Sequence, residues 1–109
     1  MNFSPGLKDS ISGIVVTSEV SPTTIISAKV TVTTAGTRVQ FVTNTIKSVV
    51  IKSLSINTGF IYVGNSLVSA TNGFQLSAGD TIALDITNTN VVWIDSSVNG
   101  EGVTWFANN

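Results

Sequence analysis

The stretch TTIISAKVTVTT, residues 23–34, decides the fold. Ile26, Ala28, Val30 and Val32 fall on one side of an extended chain, and Ser27, Lys29, Thr31 and Thr33 fall on the other. That period of two belongs to a strand with one wet face. The rhythm continues outward. In RVQFVT (38–43) Val39 and Phe41 point inward, and in DTIALDIT (80–87) Ile82, Leu84 and Ile86 point inward against Ala83, Asp85 and Thr87. No window from Gly13 onward repeats apolar residues at i, i+3, i+4 and i+7, so helices are expected only as single turns. Turn signals at short, even spacing predict an all-β chain folded as an antiparallel β-sandwich. One segment breaks phase. In KSVVIKSLSI (47–56) Val49 and Ile51 share one side while Leu54 and Ile56 take the other, which predicts a one-residue β-bulge near Lys52 and Ser53, with burial of both strand faces as the rival explanation.

The chain has 109 residues, enough for one core, and is 42% hydrophobic but only 10% charged. Soluble domains usually carry about a quarter charged residues, so Ser, Thr and Asn must supply the wet surface here. Net charge is -1, and Lys8, Lys29, Arg38, Lys47 and Lys52 form no run. Neither nucleic acid nor an anionic membrane is an expected partner. Cysteine and histidine are absent, which removes disulfides, thiol nucleophiles, serine-histidine triads and ordinary zinc sites. The N-terminal MNFSPGLKDSISGIVV has no basic leader or long apolar run, so a protein without a cleaved export signal is expected. Residues 1–12, with Pro5 and Gly6, read as an arm, and residues 13–109 as a single domain.

Glycines crowd NTGFIYVGNSLVSATNGFQLSAGD (57–80). A phosphate cradle would place them between a strand and a helix, and neither the Walker nor the dinucleotide spacing occurs. Corners of a sheet account for NTG, TNG and SAGD, with Asn and Gly tolerating positive φ. Asp95 and Glu101 bracket SSVNG and are the candidate acid/base pair, with Asp80 and Asp85 upstream, but turns gather such residues without chemistry. Calcium would use the same carboxylates, and the spacing of a dedicated loop is missing. Tyr62, Trp93 and Trp105 raise stacking on a sugar; their apolar neighbours favour packing instead. Arg38 fits an interface ion pair or a surface charge equally well. No cofactor, metal or enzymatic activity is expected.

Adjacent apolar residues in FIYVG, VVWID and VTWF put large side chains on both strand faces. One small domain has one interior, so the second face needs company. Tyr62, Trp93, Trp105 and Phe106 are accordingly the candidate oligomer interface.

The segments VTVTTAGTRVQF, KSVVIKSLSINTGFIYVGNSLVSATNGFQLSAGDTIALDI and VVWIDSSVNGEGVTWF resemble small virion-associated structural proteins of tailed bacteriophages, from about Val30 to Phe106. AGTRVQF, NTGFIYVGNS, GFQLSAGD and DSSVNGEGVTW are the most distinctive pieces. The resemblance implies a β-sandwich or jelly-roll-like module in a phage particle, as a capsid decoration or cement protein, and transfers no catalytic or metal residue. The expected protein is a homo-oligomer, a trimer, that grips the major capsid protein or another virion protein through a sheet edge and the arm, with Phe3, Pro5 and Leu7 as the arm's contacts. The alternative is a receptor- or glycan-binding module of a tail or head fibre, reading its ligand with loops Asn65–Asn72 or Ser96–Glu101.

Overall fold

The computed structural model describes residues 24–109. The expected arm, residues 1–12 with Phe3, Pro5 and Leu7, and residues 13–23 of the expected domain lie outside them.

Eight strands follow one another among the described residues: β1 (Ile25–Val32), β2 (Val39–Gln40), β3 (Ser48–Ser53), β4 (Ile61–Gly64), β5 (Phe74–Leu76), β6 (Thr81–Leu84), β7 (Trp93–Ser96) and β8 (Glu101–Asn108). A single 3-10 turn, Thr89–Val91, separates β6 from β7, and its Asn88 side chain caps it by accepting from Asn90 N–H. Among the described residues no helix is long and apolar enough to cross a membrane. All strand pairs are antiparallel. They build two sheets, ordered β1-β8-β3-β6 and β2-β7-β4-β5, which is the expected sandwich.

That order is the jelly-roll order, in which pairs nest: β1 with β8, β2 with β7, β3 with β6 and β4 with β5. The register makes the nesting strict. From Ile25 opposite Asn108, through Val39 opposite Ile94 and Thr45 opposite Asn88, to Lys52 opposite Thr81, both arms advance by equal numbers of residues. One long two-stranded ribbon is therefore wound into the sandwich. Near its tip the register shifts by four residues, placing Ile61 opposite Leu76. The turn Leu54–Asn57, closed by Asn57 N–H donating to the Leu54 carbonyl at 3.0 Å, accounts for the shift.

The bulge expected near Lys52 and Ser53 is thus absent. β3 holds its register through Ser53, and the chain then leaves the sheet. Leu54 and Ile56 break phase because they belong to that turn, where Ile56 is 79% exposed. The Asn57 side-chain amide donates to Ser53 Oγ at 2.9 Å and to the Gly102 carbonyl at 2.8 Å, tying the turn to β8.

Alternation sends Val32, Val49, Ile51, Ile61, Val63 and Ile94 into the space between the sheets. Removing such a side chain from water contributes about 2 kcal/mol each. Ile82, Leu84 and Ile86 pack against this core from one flank, while Ala83, Asp85 and Thr87 face solvent as expected. Ala28 shares the inward phase of β1 yet is exposed, because β2, the strand across from it, is only two residues long. At the other corner, Asp80 N–H donates to the Ser77 carbonyl and Ser77 N–H to Asp80 Oδ2, both at 2.9 Å. Gly79 occupies that turn at φ 83°, where a side chain would be strained.

Candidate interaction surface

Four aromatic residues are the sequence candidates for contact with another subunit, and the fold separates them. Trp105 and Phe106 are neighbours on β8 and so face opposite ways. Trp105 turns inward with Val103 and Ala107, is 3% exposed, and stacks on Phe41 with ring centroids 5.9 Å apart and planes inclined by 16°. Within the chain it is a core residue. The alternation Val103–Trp105–Ala107 carries that signal in the sequence.

Tyr62 is covered within the chain too, for a different reason. It lies outside the core between inward Ile61 and Val63, on the outer face of β4, yet it is buried. The loop between β4 and β5 roofs it. Val68 of that loop sits over Gly64, and Gly73 passes so close that a Cβ there would stand 2.4 Å from Tyr62 Cβ. Close approach, not the positive φ expected for TNG, is what demands glycine at 73. Asn65 Oδ1 accepts from Leu67 N–H at 2.9 Å, and Asn72 Oδ1 accepts from Ser69 N–H at 2.8 Å, so the loop spends its own polar groups holding its shape. Trp93, outward on β7, is half-buried.

Phe106 alone stands open, at 51% exposure. It centres a row across the outer face of the first sheet, flanked by Ser27 on β1 and Val50 on β3, with Ala83 beyond on β6. In the adjoining row Lys29 and Lys52 lie on either side of Thr104, and Thr81 follows. Phe106, Val50, Lys52 and Thr104 line a shallow groove of ≈ 340 Å³. The paired positions on this face hold two lysines, and Asp85, which shares the outward phase of Ala83, is exposed just past the end of β6, so the face offers an apolar centre with a charged margin of mixed sign.

Asp95 and Glu101 serve loops. Asp95 is buried, and its Oδ1 accepts from Ser96 N–H at 2.7 Å and Gly36 N–H at 2.9 Å, which pins the β1–β2 connection over the second sheet. Glu101 clamps the turn before β4: Oε2 accepts from the Thr58 N–H at 2.7 Å and hydroxyl at 2.8 Å, and Oε1 from Gly59 N–H at 3.0 Å. Asp95 and Glu101 therefore face separate loops and form no acid/base pair between them. Among the described residues no group of three or more Asp, Glu, His or Cys gathers in metal-binding range.

The Thr58 N–H holds the Glu101 carboxyl below its ordinary 4.5; slight burial opposes this, while Gly59 N–H and the Thr58 hydroxyl add to the lowering. In the unfolded chain the group titrates at the ordinary value. The stability it lends is accordingly present above that value and is lost as pH falls through the lower, folded one. Thermal melts between about pH 5 and about pH 3 should show wild-type stability falling more steeply than that of Glu101→Gln. Parallel slopes would mean that the clamp is energetically silent.

No protein-family model, no curated protein and no solved structure matches this chain.

Proposed function

We propose that the protein is a non-enzymatic structural component of a tailed-bacteriophage virion, an oligomeric decoration or cement protein that binds the assembled capsid shell and stabilises it. The observation that carries the proposal is the Phe106 row: a half-exposed ring beside Val50 and Ala83, with Lys29 and Lys52 next to it, on the outer sheet face. An aromatic anchor with a charged margin suits docking onto another protein surface. The resemblance of AGTRVQF, NTGFIYVGNS, GFQLSAGD and DSSVNGEGVTW to virion proteins supplies the partner class. Binding only the assembled shell shifts the assembly equilibrium toward it, and repetition over many sites strengthens a weak contact.

Co-sedimentation with capsids of the phage that encodes the chain tests the proposal. Wild-type protein should pellet with the shells and raise their melting temperature. Phe106→Ser should stay folded and lose about 2 kcal/mol of binding, roughly thirty-fold in Kd. Wild-type protein that remains in the supernatant, or a Phe106→Ser variant that binds unchanged, would overturn it.

A further inference from the structure

β1 is the outermost strand of the first sheet, and among the described residues only β8 pairs with it. Asn109 N–H donates to the Thr24 carbonyl at 3.2 Å and Gly100 N–H to the Val32 carbonyl at 2.8 Å. Hydrogen-bonded positions alternate along an antiparallel pair, so Thr24, Ile26, Ala28, Val30 and Val32 turn their backbone groups toward β8. Ile25, Ser27, Lys29 and Thr31 turn theirs away. This eight-residue edge has no proline and no bulge, and Lys29 is its one charge. Natural sheets rarely leave so long an edge open.

Among the described residues nothing covers the space beside the edge either. A groove of ≈ 280 Å³ is lined by Ile26, Ala28, Val30, Val42 and Trp105 among others. Val42 is 76% exposed at its rim and Ile25 73% at the strand end. Edge and groove together ask for a strand that supplies backbone partners and apolar side chains at once.

We propose that β1 is a pairing edge whose partner is β1 of a second copy, the two strands running antiparallel about a two-fold axis through Ala28 and merging two first sheets into one. The inference rests on the self-association in the reading above, and assigns it a two-fold contact. Self-pairing with the longest overlap can centre only on Ala28 or on Lys29. Centring on Lys29 opposes two ammonium groups, a destabilising pair. Centring on Ala28 sets Ser27 against Lys29 and Ile25 against Thr31 at the hydrogen-bonded positions. Ile26 then meets Val30 over the groove, and Ala28 meets Ala28 at a non-bonded position, where the Cα atoms approach to about 4.5 Å and small side chains fit best. Seven paired residues span about 24 Å, and across the thickness of a sandwich the contact covers on the order of 1,000 Å² in total, the lower bound for a specific interface. Such a dimer is weak in free solution and gains from arraying copies on a shell.

The full chain, which has no cysteine of its own, allows a direct test. Under oxidation Ala28→Cys should give a disulfide-linked dimer in high yield, whereas Ser27→Cys, which faces Lys29 of the other copy, should give little. Ser27→Pro removes an N–H that points away from β8, so it should leave the melting temperature nearly unchanged while raising the dimer dissociation constant at least about ten-fold. Sedimentation equilibrium at about 100 μM should find wild-type dimers. A wild-type monomer, including one whose residues before Thr24 protect the edge amides from exchange, would overturn the inference. So would a trimer in which Ala28→Cys does not cross-link. Capsid attachment separates the two proposals: binding without a β1 dimer sinks this one alone, and a β1 dimer that ignores capsids sinks the virion reading alone.

Discussion

Trp105→Ala should lower stability by about 4 kcal/mol, a large share of the 5–15 kcal/mol that a typical domain has. The indole is 3% exposed and stacks on Phe41, which is itself buried, where the ribbon brings β8 between β1 and β3. Removing it opens a cavity that Ile51 and Ala28, its cross-strand neighbours, are too short to fill. Urea unfolding should register the loss as a midpoint lowered by roughly 2 M, taking a slope of about 2 kcal/mol per M. Trp105→Phe should cost much less than the alanine variant. Nε1 is buried without a hydrogen-bond partner among the described residues, so the ring can change without stranding another of their polar groups. A Trp105→Ala variant that keeps its stability but loses only self-association would return the residue to the interface.

Gly102→Ala should cost about 3 kcal/mol. A Cβ at this position would lie 2.0 Å from the Val30 carbonyl oxygen and 2.9 Å from Thr31 Cα, both backbone atoms of β1. No rotamer change relieves such a clash, so β1 must move off β8. The Gly102 carbonyl also accepts from Leu54 N–H and the Asn57 side chain, and a shift there loosens the turn that absorbs the ribbon's change of register. Gly100→Ala is the matched control. Gly100 has φ 81° but nothing within 4 Å of its added Cβ, so only backbone strain of about 1 kcal/mol opposes the change. Equal midpoints for the two variants in urea would refute close approach as the reason for glycine at 102.

Much of this architecture was legible residue by residue. The alternation in residues 25–32, 38–43 and 80–87 identifies the strands, and the side chains it sends inward do pack on the core, Ala28 excepted. What misled was local ambiguity. Leu54 and Ile56 look like a strand out of phase because a period of two cannot be told from a turn over so few residues. Tyr62 looks like an interface residue because its cover comes from a loop whose path depends on Gly64 and Gly73 yielding room, and steric room leaves no periodic trace. The adjacent pair Trp105 and Phe106 offers two greasy side chains, and only the phase of Val103 and Ala107 tells which one goes in. Pairing was the least accessible layer. That Val32 meets Glu101 follows from matched arm lengths far apart in sequence, which no short window contains.

The wound ribbon has a consequence for how the protein is made. Its outermost pair joins the earliest described strand to the last, and Trp105, which anchors the interior, arrives with β8. A chain emerging from a ribosome cannot close this barrel-like wrap until that final strand has cleared the exit tunnel. The β3–β6 and β4–β5 segments can zip early, whereas β1 must wait for β8, its partner among the described residues. Nascent copies on one message would thus bring waiting β1 strands near each other before each finds its own β8.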